Sequence, residues 1–435
     1  MKLIVKGYKS ISSLQEVSFD GLTILAGANS SGKSSFMQPF LILKQTIEMV
    51  HDSGFLTLYG ENIKFTDSSQ IKSKVLGCDD SRFSVGIEKN TSKCTVDYRY
   101  KDKYGFEVVA VNLTAKDFPS GFILGENSDI EKNKKTMLDK FTFLKDRSIK
   151  KDVEFSVIKD KCFLKAEIST KLKMDGFKME FEPAQMLQKF VKNLIHIPGL
   201  RGNPERNYKI AMSENFYYGS FEKYVAGIIS YWVENKNTSP NNYDIFKKYL
   251  RDLNLASGID VAKRDDTSVE IMVSRIKSKD DSDCVNIADV GFGVSQTIPI
   301  LVALICAKKD QFIYVEQPEL HLHPKAQFGL ALIMADAVQR GVNVIVETHS
   351  SIFIRGIQLA VVNKKLDREK VSLNWFSQNI NTGEARIDKA TLDSYGAFGD
   401  WPEDFDDTFL NVESQYLDAV EGALELEEVV RSNVN

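Results

Sequence analysis

The run Gly27-Ala28-Asn29-Ser30-Ser31-Gly32-Lys33-Ser34 has the GxxxxGK[ST] spacing of a loop that cradles phosphates. Each residue type has a chemical reason to stand where it does. Gly27 and Gly32 let the backbone wrap an anion so that successive N–H groups, added to the positive end of a following helix, point at it. Lys33 supplies the cation for β- and γ-phosphate charge, and the Ser34 hydroxyl, followed by Ser35, suits Mg²⁺.

Three further stretches carry groups suited to the same chemistry. The apolar run from Phe312 to Val315 ends in Glu316-Gln317-Pro318-Glu319, and a buried strand can hold such a carboxylate edge-on to phosphates, where it ligates the metal directly or through water. Val346-Glu347-Thr348-His349 ends a second apolar run in a histidine that can reach the γ-phosphate together with the loop and Glu316, because parallel strands gather their ends at one crevice. Gly291, Gly293 and Ser295 lie in a glycine-rich stretch just before a helical pattern from Thr297 to Cys306, again an anion site at a helix N-terminus. Glu319, His321 and His323 invite a zinc reading, yet two histidines at i,i+2 before Pro324 better suit a loop that touches a second subunit.

In this order the motifs resemble those of ABC-type P-loop ATPases, where Asp-Glu-Pro usually occupies the positions of Glu316-Gln317-Pro318. Glu316 is a longer metal ligand than aspartate. Gln317, at the usual catalytic glutamate, can orient an attacking water but cannot accept its proton. Either Glu319 takes over as the base, or the chain binds ATP and hydrolyses it slowly or not at all; the residues leave both open. The resemblance implies ATP with Mg²⁺, His349 as a switch on the γ-phosphate, and a dimer of two copies in which Gly291 to Ser295 of each reaches the other's nucleotide. The usual signature serine is replaced by Gly291, Gly293 is kept, and Ser295 is the candidate for the lost hydroxyl.

The elements that must position these groups are read from periodicity. Leu3–Val5 and Leu22–Ala26 predict short strands, and Phe36, Met37, Phe40, Leu41, Leu43 and Ile47 predict a helix behind the glycine loop. Helix and strand then alternate from Thr297 to Val346, which means parallel strands with crossover helices. The expected class is α/β, a doubly wound, mostly parallel sheet with some antiparallel strands and an inserted strand-rich and helical subdomain. The expected divisions are 1–60 for the first part of the ATPase lobe, 61–190 for a strand-rich insertion, 191–280 for a mainly helical segment, 281–411 for the second part of the lobe and 412–435 for an acidic tail.

Further blocks, Ile195 to Tyr208 and Gly399 to Phe405, make the chain similar to a prokaryotic branch of SMC-like AAA-family ATPases that serve anti-phage systems of the Septu, retron-linked and overcoming-lysogenization-defect kinds. What this resemblance implies is a nucleotide-gated sensor or scaffold controlling a toxic effector, usually a nuclease. Asp404-Phe405-Asp406-Asp407 lacks a preceding strand with its glutamate, so the effector is expected on a separate polypeptide, with Asp400 to Asp407 a candidate docking face or, equally, a structural C-terminal cap. Two other readings stay open: a DNA-maintenance ATPase that clamps duplex through the basic stretch Lys132 to Lys151, and an ATP-stabilised structural scaffold.

Global charge does not choose among them. The 56 Lys and Arg against 60 Asp and Glu leave a formal −4, so nothing advertises nucleic acid or an anionic membrane. Five scattered cysteines without a CxxC pair argue against a disulfide framework, and no apolar run approaches the roughly 20 residues that span a bilayer. A cytoplasmic home without membrane contact is the expectation.

Overall fold

Alternation along short strands decides the architecture. Leu22, Ile24 and Ala26 belong to one buried cluster while Leu25 belongs to another; Ile313 and Val315 part from Tyr314, and Val344 and Val346 from Ile345, in the same way. A sheet whose strands bury both edges of their pleat must be covered on both faces, which is why these strands read as unbroken apolar runs. The computed structural model describes residues 1–140, 153–170, 178–213, 216–237, 242–275, 283–393, 395–399 and 414–420.

The doubly covered sheet has the order Leu194–Ile197, Phe312–Glu316, Asn343–Glu347, Leu22–Gly27, Val371–Gln378, Ala385–Thr391. Its first five strands are parallel and the last is antiparallel. One face packs against helices Glu222–Glu234, Asn242–Asp252, Phe292–Cys306, Pro324–Gln339 and Ser351–Val362. On the other, helix Lys33–Glu48 shares a core with the sheet and with a second, antiparallel sheet. Aromatic rings fasten the helix in place: Phe36 lies 6.2 Å from Phe376 and 6.4 Å from Phe19, and Phe40 lies 5.8 Å from Phe190, itself 5.1 Å from Phe312. The α/β class with a mostly parallel sheet is as the sequence predicts.

Two of the expected divisions do not follow the sheets. The antiparallel sheet runs Gln15–Ser18, Lys2–Lys6, Arg82–Lys89, Ser92–Lys101, Gly105–Ala115, Phe118–Gly125. Lys2–Lys6 pairs directly with Glu88 to Ser84, so a boundary at 60/61 falls inside one continuous sheet. Alternation marks a strand but not its distant partner. The segment 191–280 is also not mainly helical: Leu194–Ile197 is the outermost parallel strand of the central sheet, and Gly258–Lys263 with Ser268–Ser274 forms a hairpin.

A separate three-stranded sheet, Val153–Asp160, Phe163–Thr170 and Lys178–Phe181, reaches back to the nucleotide-side helix through Lys161, whose Nζ donates to the carbonyls of Ile47 and of Met49 at 2.7 Å. Of the basic stretch, helix Ile130–Lys140 is described, and Lys140 is spent on Asp117 at 3.0 Å and on the face of Phe118. Residues 141–152 and the acidic segment Asp400 to Asp407 lie outside the described residues. All five cysteines are free, and among the described residues no helix is long and apolar enough to cross a membrane.

The ring column implies a stability cost. Phe40→Ala removes a fully buried ring that bridges helix Lys33–Glu48 to Phe190, and is expected to destabilise the chain by about 3–5 kcal/mol. A lowered thermal midpoint with unchanged far-ultraviolet circular dichroism at low temperature checks this; an unshifted midpoint contradicts it.

Candidate nucleotide site

The glycine loop leaves its strand through a turn that only glycine fits. Gly27 has φ +139°, and a Cβ there would stand 2.2 Å from the Phe376 carbonyl oxygen on the neighbouring strand. Gly32, at φ +104°, is the N-cap of helix Lys33–Glu48, and a Cβ there would crowd Ser10 and Ala385. Lys33 is buried and donates from Nζ to the loop's own carbonyls, Gly27 at 3.1 Å and Ala28 at 2.7 Å. Burial pushes its pKa down, against the pull of Glu347 and Glu319. A cleft of about 250 Å³ opens between Asn29, Ser30, Gly32, Lys33, Ser34 and Ser35 on one side and Gln317, Glu347 and His349 on the other, with Gln38 at its edge. Gln38 in turn accepts from Lys9 at 2.7 Å.

Which carboxylate meets Ser34 is decided by strand order. Asn343–Glu347 lies between the loop's strand and Phe312–Glu316, so its terminal carboxylate is the nearer one. Ser34 Oγ donates to Glu347 Oε1 at 2.7 Å, and the buried Tyr314 hydroxyl donates to Glu347 Oε2 at 2.9 Å. Burial raises the Glu347 pKa, as does the charge of Glu316, while those two hydrogen bonds oppose the rise. Glu316, the carboxylate expected to join Ser34 on the metal, stands one strand further out: its Oε1 is 3.1 Å from His196 Nε2, and its Oε2 accepts the Gly199 N–H at 3.1 Å. Although burial pushes Glu316 up, hydrogen bonds from His196, Gly199 and Tyr314 hold its pKa below the usual value. Ser34 and Glu347 fit Mg²⁺, which takes hard oxygen donors, needs few from protein and leaves the rest to phosphate and water. Two buried polar atoms of the site, Ser31 Oγ and Glu319 Oε2, have no protein partner.

The groups suited to proton transfer stand around the strand ends. Gln317 occupies a left-handed backbone position, φ +42°, with its N–H donating to the Glu347 carbonyl at 2.7 Å. Glu319 Oε1 accepts the backbone N–H of His349 at 2.7 Å. Burial raises the Glu319 pKa above the ordinary carboxylate range, and that N–H only partly offsets it. His349 is shifted the other way, first by burial and then by the charge of Lys33, so it is neutral near pH 7.

The remaining predicted residues fall in two groups. Gly291 is exposed at the N-cap of helix Phe292–Cys306, with open space around the position of a Cβ, and Phe292 beside it is 51% exposed. Gly293 abuts the His321 carbonyl, where a Cβ would stand at 2.9 Å. Ser295 is buried and its hydroxyl donates to the Phe292 carbonyl of its own helix at 3.1 Å. His323 accepts from the Lys325 N–H as a helix cap, and among the described residues no cluster of metal-ligating side chains includes it or His321.

Sequence reasoning missed His196, Tyr314 and the structural weight of Glu347 and Arg201. His196 stacks on Tyr314 at 5.4 Å and touches Asn62 through Nδ1 at 3.2 Å. Arg201 is buried and, among the described residues, donates to backbone carbonyls, those of Pro198, Gln296, Glu316 and Gln317; burial pushes its pKa down to about 10 against nearby Glu222, Glu319 and Glu316. A polar residue at the third position of the apolar run Leu194–Ile197 was the one available signal for His196.

A glycine loop and converging carboxylates at the carboxyl edge of a mostly parallel sheet define a P-loop ATPase of the ABC type. The family model described as AAA ATPase domain, AAA_15, matches residues 1–354, and the chain belongs to that family, as an ATP-binding ATPase. No curated protein matches the chain. Among solved structures it is similar to an SMC head bound to the C-winged helix domain of ScpA, with 12% identity, 90% of this chain and 97% of that one covered, and a TM-score of 0.44. It is also similar to the SMC head domain from Thermotoga maritima, at 12% identity, 89% and 97% coverage and a TM-score of 0.37. A third is the SMC head with an extended coiled coil bound to the C-terminal domain of ScpA, from Pyrococcus furiosus, at 11%, 90%, 96% and 0.44.

The strand order gives a discriminating expectation for the metal. Glu347→Gln should weaken Mg²⁺-dependent binding of a fluorescent ATP analogue by about tenfold or more, and Glu316→Gln by less, in Mg²⁺ titrations. The reverse ranking would return the metal to Glu316.

Proposed function

We propose that this chain is a Mg²⁺-dependent ATPase that closes as a dimer of two copies on ATP and so gates a separate effector. The observation that carries the reading is the place of Gly291 and Phe292: this helix N-terminus is exposed and does not line the chain's own cleft. Its N–H groups are thus available to a phosphate held by another copy.

Within one copy, the N–H groups of the loop and Lys33 bind the triphosphate. Ser34 and Glu347 would hold Mg²⁺, which neutralises charge on the phosphate oxygens when bound. Gln317 orients the attacking water, and Glu319 takes its proton, because burial has raised that carboxyl toward the working pH. His349, neutral, contacts the γ-phosphate, and its backbone N–H fixes the carboxylate of Glu319. In the anti-phage systems whose motifs the chain resembles, the gated partner is usually a nuclease, and that class of effector is the one proposed here.

Two outcomes test the reading. A base must be ionised to act, so turnover should fall as pH drops through the raised Glu319 pKa, with the acidic limb above the ordinary carboxylate range. Glu319→Gln should remove that limb and lower kcat by about 10²–10⁴-fold, measured as phosphate release. Absence of turnover in the wild-type chain at every pH would instead leave an ATP-stabilised scaffold. Gly291→Arg should keep ATP binding within about twofold yet abolish the ATP-dependent dimer in sedimentation velocity, since its long side chain occupies the approach of the second copy. A wild-type chain that stays monomeric with saturating ATP and Mg²⁺ sinks the dimer.

A further inference from the structure

Arg201 sits where two parts of the site that the dimer reading keeps apart are joined inside one chain. Its Nη1 donates to the Gln296 carbonyl at 3.0 Å, in the opening turns of the helix that begins at Phe292. Its Nη2 donates to the Glu316 carbonyl at 2.9 Å and the Gln317 carbonyl at 3.4 Å, where the strand turns into the segment carrying Gln317 and Glu319. Its Nε closes back on Pro198 at 3.0 Å, so the guanidinium is anchored to its own loop.

The rest of that loop is tied to the same two elements. Gly199 N–H donates to the Glu316 carboxylate, and the buried Gln296 side chain donates to the Gly202 carbonyl at 3.1 Å. Gln296 is therefore held twice, through its carbonyl by Arg201 and through its amide by Gly202. A planar guanidinium with donors in a fixed fork cannot satisfy carbonyls on two elements unless the elements keep their relative position. A rigid shift of the helix must be followed by the strand end, or the buried donors lose partners, which is costly.

We propose that Arg201 is a positioning residue for ATP hydrolysis, coupling the helix that meets a second copy of the chain to the Gln317 and Glu319 segment of its own copy. This rests on the dimer reading above and adds the route by which closure at one site sets the water-orienting and proton-accepting groups at the other. Two copies, each with its Arg201, then activate each other's chemistry, and turnover depends on ATP at both sites.

The experiment compares wild type, Arg201→Met, Arg201→Lys and Gln296→Ala for three readouts: binding of a fluorescent ATP analogue, ATP-dependent dimer by sedimentation velocity, and phosphate release against ATP concentration at a protein concentration where the dimer forms. Wild type should show a Hill coefficient near 2. Arg201→Met should bind the analogue within about threefold and still dimerise, with kcat lowered at least tenfold and a Hill coefficient near 1; Arg201→Lys, which keeps the charge and one donor direction, should recover part of kcat. An Arg201→Met dimer with wild-type kcat and Hill coefficient overturns the coupling while leaving the dimer standing. A wild-type chain that does not dimerise overturns both. Should Arg201→Met fail to fold by circular dichroism, Gln296→Ala decides: it cuts only the link to Gly202, is expected to lower kcat about threefold or more at unchanged binding, and overturns the proposal if kcat and the Hill coefficient stay at wild-type values.

Discussion

One line of contacts runs across the carboxyl edge of the central sheet, and the site depends on it. Ser34 donates to Glu347, Tyr314 donates to the other oxygen of Glu347 and stacks on His196, and His196 and Gly199 hold Glu316. Each buried carboxylate thereby has partners for its lone pairs, without which its charge could not stay in so dry a place. The line also crosses strands in order, from the loop's helix through two strand ends to the outermost strand. Removing a member leaves its neighbours with unmet polar atoms, so the site behaves as a unit and not as a set of separate ligands.

That arrangement explains why two carboxylates of the same type have opposite tendencies. Glu316, ringed by donors, is kept ionised, whereas Glu319, with one oxygen on the His349 N–H and the other unpartnered, is pushed toward the protonated form by burial. Pairs of acids driven apart in this way are suited to divided labour, one as a fixed charge and one as a proton carrier. The sheet supplies the difference, because Glu316 ends a strand between two neighbours while Glu319 lies in the turn beyond it.

The loop, its flanking strand and helix, and the strands ending at Glu316 and Glu347 were legible in the sequence because doubly buried strands are written as apolar runs and the phosphate loop has a fixed spacing. What was not legible is the order of those strands. Nothing local to Asn343–Glu347 says that it lies between the loop's strand and Phe312–Glu316, so the hydrogen bond from Ser34 to Glu347 was not foreseen. Leu194–Ile197 is four residues long, too short for periodicity to announce, and with it went His196. Arg201 stood in a quoted block of the sequence, but its partners are backbone carbonyls, which every residue has and no motif marks. The antiparallel sheet was half-read: its strands were seen, and their pairing with Lys2–Lys6 was not.

Leu200 lies 91% exposed at the tip of the loop whose other members are bound down on either side. An exposed leucine on a slack loop would lose conformational freedom when covered, and that loss would cancel much of what its burial gives. Here the backbone is already ordered by Gly199, Arg201 and Gly202, so a surface laid against Leu200 would gain apolar contact at roughly 25 cal/mol per Å² and surrender the freedom of the side chain alone. The leucine is an apolar stud on a backbone already held in place.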